Sequence, residues 1–118
     1  MIGKVLIGLI AILHIYILIL EMFLWDKPKG LRAFGNTLEK AKATKIMAQN
    51  QGLYNGFLAA GLFWALCASD VMALPLANFF LSCVLIAGIF GGITASRKII
   101  FIQSVPALLA LIMVNLGY

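Results

Sequence analysis

Two ionisable residues, His14 and Glu21, lie seven positions apart in one long apolar run from Val5 to Trp25. An ionisable side chain in a bilayer core costs roughly 2 to 3 kcal/mol unless it has a partner or a wet cavity, so it marks a functional site by default. A spacing of seven leaves two helical side chains about 20° apart, on one stripe. If the protein is a catalyst, His14 or Glu21 is therefore the candidate general base.

The other candidate site residues are amides and one phenol on later apolar runs. They are Asn50, Gln51, Tyr54, Asn55 and Gln103. Each lies near the basic end of its helix, and polar groups inside a membrane need internal partners. We expect them to surround a pocket that opens to the cytoplasm, with His14 at its floor. In an alternative that stays open, Glu21 extends to the interface, His14 bonds one backbone carbonyl and the amides only join helices.

Composition indicates the elements that must position these residues. The chain has 118 residues, of which 64% are hydrophobic and 11% charged, whereas soluble domains are about 45 to 50% apolar and about 25% charged. Four apolar runs have the length of about 20 residues that crosses a bilayer. They cover residues 5–25, 46–68, 75–95 and 99–116, with a loop at 26–45. The sequence predicts an all-α integral membrane protein, a single domain of 1–118 forming an antiparallel, up-down four-helix bundle.

The basic residues predict the orientation of this bundle. Six of the nine Lys and Arg residues lie in the loop at 26–45, and Arg97 and Lys98 lie in the third loop. Lys and Arg in short loops stay cytoplasmic, so both termini should face outward. The net charge of +5 then attracts anionic membrane lipids. No aromatic residues interleave a basic stripe, which argues against a nucleic-acid partner.

Local signals predict details within and between the helices. Pro28 should end the first helix in a turn, and Asn36 with Glu39 has the spacing of a capping box. Pro106 should bend the last helix and release a carbonyl near Ile102.

Small residues and cysteines add two further expectations. Gly52 with Gly56, and Gly88 with Gly92, have the spacing that lets helices approach closely and favours self-association. Cys67 and Cys83 differ in depth by roughly 8 to 12 Å at 1.5 Å per residue, so we expect two free, buried thiols. No Cys/His spacing suggests a metal, and no cofactor is assigned.

With these residues in hand, the chain resembles the domain-of-unknown-function family 1304 of small bacterial membrane proteins. The resemblance spans nearly the whole chain and rests on three groups of residues. They are His14, Glu21, Met22 and Trp25; the run NQGLYNGFLAAG, which begins at Asn50; and Gln103, Pro106, Ala107 and Leu108. It implies a four-helix, multi-pass protein of the bacterial cytoplasmic membrane and carries no activity with it.

Two wider resemblances concern topology. The predicted layout resembles the membrane-associated proteins of eicosanoid and glutathione metabolism, which are trimers that bind glutathione at a cytoplasm-facing site. Asn50 matches an Asn of that pattern, but Leu53 stands where the pattern has Glu, and no Arg precedes it. Small multidrug transporters also resemble this chain in size, in helix number and in one glutamate on the first helix, which implies proton exchange at Glu21.

These observations favour a small inner-membrane protein that binds, and in one version transforms, a hydrophobic or amphipathic molecule in the cytoplasm-facing pocket. Two alternatives stay open. One is a proton-coupled transporter of the small multidrug type that uses Glu21, and the other is a structural membrane subunit. Whether the protein is an enzyme is left open by the residues themselves.

Overall fold

Six α-helices and one π-helical segment account for the chain in the computed structural model, which describes every residue from Met1 to Tyr118. The protein is all-α, with 86% of residues helical and no strand. The helices are α1 (Ile2–Met22), α2 (Pro28–Phe34), α3 (Leu38–Ala43), α4 (Lys45–Cys67), α5 (Asp70–Thr94) and α6 (Val105–Leu116). The π-helical segment, Ile100–Ser104, directly precedes α6.

The helix boundaries differ from the predicted ones in instructive ways. The second long helix begins and ends within one residue of prediction, at Lys45 and Cys67. The third begins at Asp70 instead of residue 75 and carries Pro75 inside it. The N–H that Pro75 lacks would bond the carbonyl of Val71. Val71 is highly exposed, so the first turns of α5 can tolerate the missing hydrogen bond.

Two helices are long and apolar enough to cross a membrane, Ile2–Met22 and Asp70–Thr94, and the stretch Ile100–Leu116 is apolar but shorter. Polar residues lower the hydropathy of α4, although its 23 residues give it sufficient length. The prediction of an all-α protein is thus confirmed, and two of the four predicted spans meet the criteria of length and hydropathy.

The predicted loop at 26–45 contains two short helices. Pro28 was expected to end a helix, and instead it occupies the first turn of α2, where a missing N–H costs nothing. The cap of α3 is Thr37 rather than Asn36, because the Thr37 hydroxyl accepts the backbone N–H of Lys40 at 3.2 Å. Both corrections concern the start of a helix. Proline fits the first turn as well as it ends a preceding helix. Asn and Thr both cap helices, so the sequence alone does not choose between Asn36 and Thr37.

Backbone contacts divide the chain into two compact units. The first comprises Met1–Ile12 and Leu58–Tyr118, and the second comprises Leu13–Phe57. The core of the first unit takes buried residues from α1, α4, α5 and α6; examples are Ile10, Leu62, Leu81, Val84 and Ala107. At one end of this core, Asn78 of α5 and Asn115 of α6 exchange amide hydrogen bonds of 3.2 and 2.7 Å.

The π-helical segment of the first unit lies against glycines of α5. Within it, the N–H of Val105 bonds the carbonyl of Ile100, five residues earlier. The Ser104 hydroxyl donates to the carbonyl of Leu85 at 3.0 Å, and Gly88 lies directly against Ser104. The irregularity predicted around Pro106 therefore takes the form of a wider helical turn just before the proline.

Both cysteines are free, as predicted. The expectation that both are buried is wrong for Cys67, which is exposed at the end of α4, whereas Cys83 is half-buried. An exposed cysteine at a helix end is a useful site for chemical labelling.

Candidate functional site

Helices α1 and α4 approach closely within the second unit because glycine removes the side chains between them. A Cβ atom on Gly52 would lie 2.6 Å from Met22 Cγ and 3.1 Å from Glu21 Cβ. A Cβ atom on Gly56 would lie 2.6 Å from Leu18 Cδ1. Position numbers fall along α1 as they rise along α4, so the two helices run antiparallel here. The predicted packing role of this glycine pair is confirmed.

This close approach places Glu21 beside Asn55. The Asn55 amide donates from Nδ2 to Glu21 Oε1 across 2.5 Å. Glu21 is only 2% exposed and Asn55 only 8% exposed. An acid buried against an amide has a hydrogen-bond donor but no charge that would neutralise a carboxylate. Asn55 is thus the donor that satisfies this buried acid.

The structure separates the remaining predicted site residues by exposure. His14 is fully buried in the second unit and has an interaction partner. Asn50, Gln51 and Tyr54 lie on the exposed surface of α4, where Asn50 donates to the carbonyl of Ile46 at 2.9 Å. Gln103 belongs to the first unit, where it is half-buried on the π-helical segment and also has an interaction partner. Of the seven residues, Glu21 and Asn55 are joined directly.

The three exposed residues form a continuous polar patch that leads to the buried pair. Tyr54 is four residues after Asn50 and three after Gln51, so the three side chains are neighbours on the helix surface. Gln51 is likewise four residues before Asn55. We call Asn50, Gln51 and Tyr54 the α4 patch. By helical spacing the α4 patch therefore adjoins Asn55, which donates its hydrogen bond to Glu21.

Contacts that sequence reasoning missed hold the ends of α1 and α4 together. The Trp25 indole N–H donates to the Thr44 hydroxyl at 3.1 Å. Lys45 Nζ donates to Asp26 Oδ2 at 3.1 Å, and this ion pair lowers the pKa of the Asp26 carboxyl. Asp26 and Lys45 have opposite charges at the two ends of the predicted loop, and this was the available signal. The loop contains five other cations, however, so the sequence did not single out Lys45.

Lys29 has a different partner within the second unit. Its ammonium lies 5.4 Å from the centroid of the Tyr16 ring, a distance at which a cation is attracted to the ring face. This contact ties α2 to the last two turns of α1. The loop is therefore an ordered part of the second unit, adjoining the Glu21–Asn55 pair along the chain.

Comparison with known proteins identifies the family to which the chain belongs. Residues 8–115 match the family described as Protein of unknown function (DUF1304), and the chain belongs to that family. The chain is similar to Uncharacterized protein YpaA of Lactococcus lactis subsp. lactis (strain IL1403), with 31% identity over 106 residues that cover 88% of each chain. No solved structure matches the chain. The resemblance drawn from His14, Glu21 and the NQGLYNGFLAAG run is confirmed.

Proposed function

We propose that this protein is a multi-pass protein of the bacterial cytoplasmic membrane with four spans, formed by α1, α4, α5 and the stretch Ile100–Leu116, and with both termini outside. The apolar character of three of these helices supports the proposal. For α4, large apolar side chains on its exposed surface, such as Phe57, Phe63 and Trp64, suit contact with lipid. Residues of all four helices contribute to one core in the first unit.

The charge of the loop supports the orientation. Its cations include Lys27, Arg32, Lys40 and Lys42, all exposed. Cations near a membrane surface attract anionic lipid headgroups by about 1 kcal/mol each. Anionic lipids of the inner leaflet are thus the proposed partners of this loop.

The exposed Cys67 allows a direct test of the topology. We expect a membrane-impermeant maleimide to label Cys67 in intact spheroplasts, because the end of α4 should face outward. A Lys42→Cys variant in a background lacking Cys67 and Cys83 should react only after permeabilisation. Labelling of the Lys42→Cys variant from outside without permeabilisation would contradict the proposed orientation.

We further propose that the protein binds a hydrophobic or amphipathic small molecule at the α4 patch, with Glu21 behind it as the buried acid. The observation that carries the proposal is the hydrogen bond from Asn55, four residues after exposed Gln51 on α4, to a glutamate that is 2% exposed. The Asn50 amide already bonds the carbonyl of Ile46. In a membrane-spanning helix, exposed Gln51 and Tyr54 still require a polar partner, because lipid chains offer none. The head of an amphipathic molecule supplies such a partner, and its tail remains among lipid chains.

The site residues then have distinct roles. Asn50, Gln51 and Tyr54 would orient the head by hydrogen bonds, and Asn55 would hold Glu21 in place. Glu21 would select a head that donates a proton or carries positive charge. His14, seven residues before Glu21 on α1, is the second candidate base if the bound molecule is transformed, and Gln103 stays a predicted contributor.

Identification of molecules that co-purify in mild detergent tests the binding proposal. We expect a retained amphipathic molecule in the wild-type protein and about a tenfold or greater loss of retention in Glu21→Gln and in Gln51→Leu, as expected when a charged or buried hydrogen bond is lost. Phe63→Leu, an exposed apolar change on the same helix, is the matched control and should retain the molecule.

Two outcomes would contradict binding. A dimer or trimer that buries the α4 patch, with no molecule retained, would show that a second copy of the chain is the polar partner. A pH-driven flux of a lipophilic cation in proteoliposomes, abolished by Glu21→Gln, would instead establish the transport alternative.

A further inference from the structure

A second candidate site, formed by a cavity, lies in the first unit, and none of the seven predicted site residues lines it. The cavity has a volume of about 230 Å³ and lies between the first turns of α1, the end of α4, the start of α5 and the end of α6. Its apolar lining includes Ile7, Ala73, Ala77 and Val114. A cavity of roughly 150 Å³ lined by apolar side chains already accepts benzene. This cavity therefore has room for a single ring or a short branched chain.

Two side chains of opposite charge, Lys4 of α1 and Asp70 of α5, also line the cavity, together with the terminal residues Met1 and Tyr118. Lys4 and Asp70 are exposed, which places them at the mouth of the cavity. They do not form an ion pair with each other, since the salt bridge of the structure joins Lys45 and Asp26. Because the two side chains are not paired with each other, each charge is available to a group bound at the cavity.

We propose that this cavity binds a small zwitterion with an apolar body, its ammonium group directed at Asp70 and its anionic group at Lys4. A free apolar amino acid and the headgroup of a zwitterionic phospholipid share this chemistry. The apolar interior selects the body of the ligand, and the two charges fix its orientation. With the termini outside, the mouth opens to the external face of the membrane.

Calorimetric titration of the purified protein in nanodiscs tests the site with three probes of equal ring size. Phenylalanine carries both charges, phenethylamine carries only the ammonium and 3-phenylpropionate only the carboxylate. We expect phenylalanine to bind at least about tenfold more tightly than either analogue, as the loss of one charged hydrogen bond implies. Lys4→Gln and Asp70→Asn should each remove that advantage.

Filling the cavity provides an independent test. Ala73→Leu, at a half-buried position, should abolish phenylalanine binding while the protein stays folded, and Ala77→Leu should do the same from the buried wall. Ala60→Leu, at an exposed position of α4, is the matched control and should bind normally. Unchanged phenylalanine binding by both cavity-filling variants would overturn the proposal.

Native mass spectrometry distinguishes the two sources of the ligand. Retention of phosphatidylethanolamine by the wild type, lost in Lys4→Gln and in Asp70→Asn, would identify a lipid headgroup as the occupant and supports the site. If neither phenylalanine nor phosphatidylethanolamine binds, or if binding ignores both charges, the proposal fails.

Discussion

Replacing Gly88 with alanine is expected to lower the free energy of unfolding by about 1 to 3 kcal/mol, the usual cost of overpacking a well-packed interface. A Cβ atom at this position would lie 2.8 Å from the backbone nitrogen of Ser104 and would also meet its hydroxyl. Ser104 cannot rotate away without losing the hydrogen bond from its hydroxyl to the carbonyl of Leu85. Relief therefore requires α5 and the π-helical segment to separate.

Unfolding of the purified protein by titration with SDS in mixed micelles measures this effect. The matched control is Gly8→Ala, also at a glycine of a long apolar helix. Its Cβ atom would meet nothing closer than Leu66 Cδ1 at 3.8 Å. Because alanine is a better helix former than glycine, this control should be neutral or slightly stabilising. Equal losses of stability in both variants would show that Gly88 does not make the close contact.

The second large effect is expected at the Glu21–Asn55 pair. Asn55→Leu should cost about 1 to 3 kcal/mol, because it leaves a buried carboxyl group without its donor. The double variant Glu21→Leu, Asn55→Leu should recover most of that stability, because two apolar side chains need no hydrogen bond. The same SDS titration measures both variants, with Glu21→Leu completing the cycle.

The functional readout separates folding from binding in this series. Retention of the amphipathic molecule should be lost in the double variant although its fold is stable, since Glu21 is the proposed acid of the site. A stable double variant would also indicate that the chain keeps Glu21 for function rather than for folding. Full retention by this variant would remove Glu21 from the proposed site.

The sequence singles out Glu21 because an ionisable residue is conspicuous in an apolar run. Glu21 stands out in an apolar run of about 20 residues, and the sequence suffices to place it in a helix and to expect a partner. Gly52 and Gly56 likewise predict a close helix contact from their spacing alone. The partner itself, Asn55, could not be singled out, since Asn50, Gln51, Tyr54 and Gln103 were equally suitable by depth and chemistry.

By itself, the sequence determined the helical and apolar nature of the protein, because the length of an apolar run and the positions of its charges need no knowledge of neighbours. The tertiary structure decided which polar groups meet. The rotation of α4 about its axis, set where Gly52 packs on Met22, turns Asn55 toward Glu21 and leaves Asn50 exposed. It also decided that Lys4 and Asp70, 66 positions apart in the sequence, line one cavity. Contacts between residues that are distant in sequence depend on how helices pack. Packing in turn depends on the shapes of side chains on several helices at once.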